Sequence, residues 1–234
     1  MPLVFSCSPL AHDMEPPIAN LSFPMFPLPN AGNLSRPSLR RRRLASSLGA
    51  PLFEGLGTHY VFIYVGTPPQ RVSVIVDTGS HHTAFPCTGC NCGKHMDPFF
   101  DPQKSTSATV CQGSRCRFSQ SYSEGSSWEA FKVTDRITIG SESGTLGEQW
   151  LDFTFGCQIR ETGLFRTQNV DGIMGFSASP GTLPFELHRG GKVQSKAIAM
   201  CFKRGGGVLS LGGVNTALHK SPMEFAKANV LSSG

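Results

Sequence analysis

From about Thr58 the chain falls into short apolar runs cut by Gly, Pro and charged turns. That is the pattern of half-buried strands rather than of amphipathic helices. Tyr60 to Val65 is a β-branched and aromatic run, suited to a pleated, partly buried surface. Gly66-Thr67-Pro68-Pro69-Gln70 reads as a turn, since Gly and Pro preset turn backbones. Arg71 to Val76 then alternates, with Val72, Val74 and Val76 on one face. Further strands are predicted over Lys132–Ile139, Leu151–Cys157, Ala197–Phe202 and Val208–Leu211. One short helix is predicted over Pro184–Arg189, with Pro near its start. Such a series predicts a mostly β domain, a sandwich or barrel. Residues 1–56 differ: they are rich in Pro, Ser, Leu and Asn without a steady period, and little order is expected there. No apolar run reaches the roughly 18–20 residues of a membrane span.

Composition sharpens this picture. The chain has 234 residues, with 26 Gly, 17 Pro and 16% charged residues, which suits a turn-rich β protein and a sizeable core. The net charge of +5 owes four charges to the run Arg40-Arg41-Arg42-Arg43. The remainder is close to neutral, so a nucleic-acid partner is not expected. The Arg run is either a solvated cluster or a basic processing site between leader and mature domain. Asn20-Leu21-Ser22 and Asn33-Leu34-Ser35 are glycosylation sequons, meaningful only in a secreted chain. Met1 to Ala11 lacks the basic n-region of a signal peptide.

Eight cysteines bear on compartment: Cys7, Cys87, Cys90, Cys92, Cys111, Cys116, Cys157 and Cys201. Five of them fall between positions 87 and 116. The cluster reads as a disulfide-stapled insert from an oxidising compartment. Its rival is a zinc site on Cys87, Cys90, Cys92 and His95, which have close ligand spacing. The disulfide reading is preferred and no metal is expected. With Cys7 set aside in the leader, seven cysteines remain, so one needs a partner elsewhere, including beyond the chain end.

The candidate chemistry centres on Asp77-Thr78-Gly79-Ser80, which follows the apolar strand Val74-Ile75-Val76. An acid at the end of such a strand loses hydration unless something pairs with it. Gly79 permits a turn that brings amide N–H groups to the carboxylate, and Thr78 and Ser80 add hydroxyls. Taken alone, the tetrapeptide also fits an ordinary Asx-turn.

Its surroundings decide between the two. The segment YVFIYVGTPPQRVSVIVDTGS, the QSYSEGSS stretch, VDGIMGFS at 170–177 and GGVLSLGGVN at 206–215 occur in that order. Together they resemble the pepsin family of aspartic peptidases over about Tyr60 to Met223. Within it, FPCTGCNCGKHMDPFFDPQKSTSATVC resembles the cysteine-rich insert of the plasmepsin V and nepenthesin-type branch. The resemblance implies a pepsin-like lobe, a double-psi-type β barrel or sandwich, over 57–223 with its insert at 87–116. It makes 1–56 a leader or prosegment and 224–234 the start of an interlobe segment or a tail. It also implies that Asp77 is catalytic with Thr78, Gly79 and Ser80 in support, that Tyr122 is the flap tyrosine, and that Glu124 meets a basic side chain of the substrate. Two departures stand out: Ser123 replaces a flap cysteine of that branch, and His81 and His82 replace small polar residues. Surface positions are expected for both histidines.

The family mechanism uses two carboxylates, one per lobe, sharing one proton around an attacking water. This sequence contains no second Asp-Thr-Gly or Asp-Ser-Gly; Asp171-Gly172 belongs to the first-lobe motif. The expectation is therefore the first lobe of an aspartic endopeptidase with its second lobe absent, inactive alone. Its expected partners are a polypeptide substrate and the missing C-terminal lobe, with no cofactor, and a membrane anchor only beyond the chain end. The expected location is the secretory pathway: the ER or Golgi lumen, a vacuole or the exterior. The alternatives are a non-catalytic binding or inhibitor-like protein of the same fold, and a homodimer that pairs two copies of Asp77.

Overall fold

A computed structural model describes residues 3–5, 47–140 and 149–215. The sequons, Arg40–Arg43, Cys7 and the 224–234 segment lie outside them. The strands in chain order are β1 (Leu3–Phe5), β2 (Leu48–Glu54), β3 (His59–Val65), β4 (Gln70–Asp77), β5 (Thr83–Asn91) and β6 (Thr109–Val110). They continue as β7 (Arg117–Ser121), β8 (Ser127–Ile139), β9 (Leu151–Thr162), β10 (Gly172–Gly175), β11 (Ile198–Lys203) and β12 (Gly206–Leu211). One α-helix occurs among the described residues, α1 (Leu183–Arg189). The fold is mostly β, as the spacing of apolar runs predicts.

The pairings close a barrel. β3 pairs with β4, β4 with β10, β10 with β5, β5 with β9, β9 with β8, and β8 returns to β3. Two of these pairings, β4 with β10 and β5 with β9, are parallel, so they need long crossovers rather than hairpins. On one side the sheet extends in the order β1, β11, β12, β2, β3, and on the other β6 and β7 pair with β8. Val61, Ile63, Val72, Val74, Phe85, Phe155 and Met174 are buried in one cluster. A second cluster, with Ala84, Trp128, Phe165 and Ile173 at its centre, lies against Ile75 and Tyr122. β4 serves both: Val72, Val74 and Val76 face the first cluster and Ile75 the second. The period-2 pattern of the sequence is therefore real, and both faces of β4 are covered.

β2 corrects one expectation. Residues 48–54, assigned to the leader by composition, form a strand with Ala50 and Leu52 buried. Gly49 and Pro51 hide it from a propensity argument. Pro51 is tolerated because β3 joins β2 only at Phe53 and Glu54, leaving one side of β2 without a ladder at Pro51. β1 adds a second short strand within the same leader, parallel to β11.

β10 is the shortest strand of the barrel. Gly172 is the register partner of Val74, and Gly175 that of Asp77. A Cβ at Gly172 would fall on the Ala84 carbonyl oxygen and on Phe85. Backbone cannot give way there as a flexible side chain could. Gly172→Ala should therefore lower stability by about 3 kcal/mol, the upper end of the overpacking range. Gly49→Ala, in open space, should change it by less than about 0.5 kcal/mol. Urea unfolding of the oxidised protein measures both; equal midpoints for the two variants would contradict this packing.

Candidate active site

Asp77 is the last residue of β4. Opposite it, Gly175 presents no side chain, and the Phe176 amide donates to the Asp77 carbonyl at 2.7 Å. The chain then turns back over β10. A Cβ at Gly175 would strike the backbone of His81, so the turn rests directly on the β10 glycine. Within the turn, Gly79 N–H donates to Asp77 Oδ1 at 2.9 Å. The carboxylate is half-buried, oriented by that amide, and aimed into an open cleft of about 530 Å³.

That cleft collects residues from distant parts of the sequence. Asp77 and Thr78 line it with Thr58 from the β2–β3 connection and His59 at the start of β3, Tyr122 and Glu124 from the β7–β8 turn, and Phe165 and Gln168 from the segment after β9. Gly79 and Ser80 do not line it; Gly79 supports the Asp77 carboxylate from behind. The seven cysteines 87, 90, 92, 111, 116, 157 and 201 stand apart from it as well.

Tyr122 sits where strands β7 and β8 meet, in a turn closed by Tyr122 N–H to Ser126 carbonyl at 2.9 Å. Its phenol oxygen accepts from Trp128 Nε1 at 3.3 Å, and its ring packs at 5.3 Å from Phe165. Burial pushes the Tyr122 hydroxyl above its ordinary pKa, while the Trp128 indole and the Ser80 hydroxyl work the other way. Ser80 Oγ is buried and makes no hydrogen bond among the described residues. Trp128 is a site residue that motif matching missed. Its position, inward on β8 six residues after Tyr122, follows only from the strand pleat. Glu124 is exposed at the rim of the same turn, and its carboxylate accepts from the Ser126 hydroxyl.

The two histidines part company. His81 is exposed, but His82 is half-buried, with its ring 5.1 Å from Phe118 and 6.2 Å from Trp128. The expectation of a surface position for His82 is corrected: the chain leading into β5 brings its ring against Phe118 and Trp128, with the His81 ring 4.0 Å away. Burial lowers the His82 pKa, helped by His81 and Lys132.

The cysteines are paired. Cys90–Cys92 and Cys111–Cys116 close within the insert, and Cys87–Cys157 ties β5 to β9. Cys201, the odd one by count, is also disulfide-bonded. The rival zinc ligands are otherwise engaged: the sulfurs are in disulfides, and His95 is fully buried against Glu161 at 3.0 Å. His95 Nε2 also meets the Cys92 carbonyl at 2.7 Å, and Nδ1 the Val170 carbonyl at 3.2 Å. Both ring nitrogens face only acceptors, which calls for the imidazolium. Burial pulls the His95 pKa down, but the Glu161 carboxylate and these carbonyls more than reverse it.

Beside this pair lies a second buried carboxylate. Asp171 Oδ2 accepts from Ser73 N and Ser73 Oγ, both at 2.7 Å, and Oδ1 from Asp97 N at 2.9 Å. The same group thus joins β4, the start of β10 and the insert. Burial raises its pKa to about 6; the Asp97 and Ser73 amides and the Ser73 hydroxyl oppose that rise, and the Asp97 charge adds to it.

With this geometry in place, the relatives are informative. A family model described as eukaryotic aspartyl protease matches residues 58–231. The chain is 34% identical over 199 residues to aspartic protease 5 of Toxoplasma gondii, covering 71% of this chain and 20% of that one. It is 31% identical over 173 residues to plasmepsin V of Plasmodium falciparum (isolate 3D7), covering 66% and 29%. To nepenthesin-1 of Nepenthes gracilis it is 29% identical over 176 residues, covering 66% and 39%. The chain thus spans from 20% to 39% of the length of these relatives.

The Asp171 shift has a signed consequence. Its folded pKa, about 6, lies above the ordinary 3.8, so the folded state holds the proton more tightly. The stability it contributes is full below about pH 4 and is lost as pH rises to about 6. Asp171→Asn removes the titration. The stability of wild type relative to this variant should therefore grow on going from pH 6.5 to pH 4, by on the order of 2 kcal/mol. Urea unfolding across that range checks it; a difference that is flat or grows with pH contradicts the assignment.

Proposed function

The chain belongs to the eukaryotic aspartyl protease family, and on that premise we propose that it supplies one half of an aspartic endopeptidase site. Asp77 is one of two carboxylates that share a proton and activate a water for attack on a peptide carbonyl. The observation that carries this reading is the Asp77 carboxylate itself: fixed by Gly79 N–H at 2.9 Å, it opens into the cleft beneath the Tyr122 turn. One carboxyl cannot be acid and base at once, and two held close divide the roles because both cannot ionise together. The sequence holds one Asp-Thr-Gly, so the second carboxylate belongs to a lobe outside these 234 residues. Thr78 and Ser80 support the turn, and Tyr122, held by Trp128, covers bound substrate. A polypeptide is the substrate, with no cofactor and no nucleic acid. The disulfides favour a compartment of the secretory pathway. Among the described residues no helix is long and apolar enough to cross a membrane.

The purified 234-residue chain should not turn over a quenched-peptide mixture at acidic or neutral pH. Joined to a second lobe it should, and Asp77→Asn should then reduce the rate by about a thousandfold, within the range for loss of acid–base catalysis. A restored protein that binds peptides yet never cleaves them would favour the non-catalytic alternative. Turnover by the lone chain that needs Asp77 and rises with the square of concentration would favour two copies of Asp77.

Glu124 is the candidate for reading charge, because it stands on the turn above Asp77 with its carboxylate at the rim. Exposure and competition from the Ser126 hydroxyl keep the effect small. Glu124→Gln should lower kcat/KM about fivefold on peptides with Arg or Lys upstream of the cut. Neutral peptides should be unaffected; equal loss on both sets would remove this role.

A further inference from the structure

His82 stands beneath the Tyr122 turn and has no part in the chemistry proposed above. Its backbone is fixed, because the His82 carbonyl accepts from the Gly175 N–H of β10 at 2.9 Å. From there its side chain leans onto two rings. The imidazole is 5.1 Å from Phe118 of β7 and 6.2 Å from Trp128 of β8, at interplanar angles of 61° and 80°. Phe118 and Trp128 stand edge to face, 5.3 Å apart at 88°. Edge-to-face contact is a favoured geometry for aromatic pairs, so the three rings brace one another. Trp128 carries that bracing to the cleft: its Nε1 donates to the Tyr122 hydroxyl at 3.3 Å.

The surroundings suit a neutral imidazole. His95 gives the contrast: both of its ring nitrogens meet acceptors, the Glu161 carboxylate among them. No carboxylate of the described residues bonds to His82. The groups around it, element by element, are His81 on its own turn, Phe118 of β7, Trp128 and Lys132 of β8, and the Gly175 backbone of β10. The two that can carry charge are both cationic. The His81 ring is 4.0 Å away, and Lys132 Nζ lies 5.9 Å over the Phe118 ring. A proton on His82 is therefore partly desolvated, unpaired and repelled. Burial, His81 and Lys132 hold its pKa below the ordinary 6.5. The stability that the neutral ring contributes is thus full above about pH 6.5 and is lost as pH falls below it. Linkage is reciprocal: a closed cluster that disfavours the proton is itself disfavoured by the proton, by the same factor.

We propose that His82 is a positioning residue for the Tyr122 turn: neutral, it seats Trp128 and so holds Tyr122 at the cleft; protonated, it leaves the cluster and the turn loosens. Packing alone would be served by Leu. The imidazole adds release on acidification. The consequence for catalysis rests on the peptidase reading above; the hold on the turn does not.

Trp128 and Trp150 are the two tryptophans of the chain, so in the Trp150→Phe chain indole emission reports Trp128 alone. Between about pH 7.5 and pH 5 that emission should change in one step, with its midpoint below the ordinary histidine value. Lys132→Gln should move the midpoint upward, and His82→Leu should remove the step. Hydrogen exchange, corrected for its intrinsic pH dependence, reads the turn itself. The Tyr122 and Gly125 amides, bonded to the Ser126 and Tyr122 carbonyls, should lose protection about tenfold over that range, the scale of one pKa unit. In His82→Leu their protection should stay constant. In the protein that also carries the second carboxylate, the ratio of kcat/KM for His82→Leu to that for wild type should rise about tenfold on acidification. A ratio flat with pH marks a merely structural His82 and overturns the proposal. So does an emission step that survives His82→Leu, or turn protection in wild type that ignores pH. If His82→Leu does not fold, Lys132→Gln decides: a midpoint unmoved or lowered overturns the proposal. If wild type cuts no peptide, the peptidase reading fails, and emission and exchange still decide what His82 holds.

Discussion

The candidate site depends on one constraint: β4 and β10 must lie side by side, parallel, without a hairpin to hold them. Asp171 supplies the hold. Its carboxylate takes the Ser73 amide and hydroxyl of β4 and the Asp97 amide of the insert. Burying a carboxylate costs several kcal/mol unless donors replace its water; here three do. The glycines of β10 let β5 and the turn after Asp77 pack against it, because a side chain at Gly172 would strike Ala84 and Phe85 and one at Gly175 the His81 backbone. With β10 in place, the Asp77 turn has a floor to rest on.

From that floor the functional geometry follows. The strand ends, the backbone turns, and the freed amide of Gly79 orients the Asp77 carboxylate toward the cleft. The opposite wall is the end of the β7–β8 hairpin, whose Tyr122 is held by the buried Trp128 indole. Trp128 in turn packs against Phe118 and His82. The departure at His82 is thus absorbed into the packing beneath the hairpin.

The insert is bound to the same centre. Cys87–Cys157 anchors its start to β9, and the charged pair His95–Glu161 anchors its middle. A buried ion pair is not by itself strong support for stability, since desolvation offsets the attraction. What it does enforce is position: Glu161 and the Cys92 and Val170 carbonyls accept His95 in one orientation only. Through Asp97 the insert also reaches Asp171. Insert and candidate-site floor therefore share one hydrogen-bonded network.

The sequence by itself pointed to the family, to half of the described strands, and to Asp77, Tyr122 and the clustered cysteines as candidates. These are legible because they are local: alternation marks a strand, Gly and Pro mark a turn, and a four-residue motif carries its own geometry. The tertiary structure alone decided what meets across the chain. Ser73 and Asp171 are 98 positions apart, and nothing local to either announces the other. β2 stayed hidden because Gly49 and Pro51 argue against a strand that its neighbours β12 and β3 nonetheless impose. Trp128, Gln168 and Met96 came near the candidate cleft only when β8, the segment after β9 and the insert were brought to one place. Side-chain burial and hydrogen-bond partnership are properties of a closed barrel, and barrel closure depends on pairings between residues far apart in the chain.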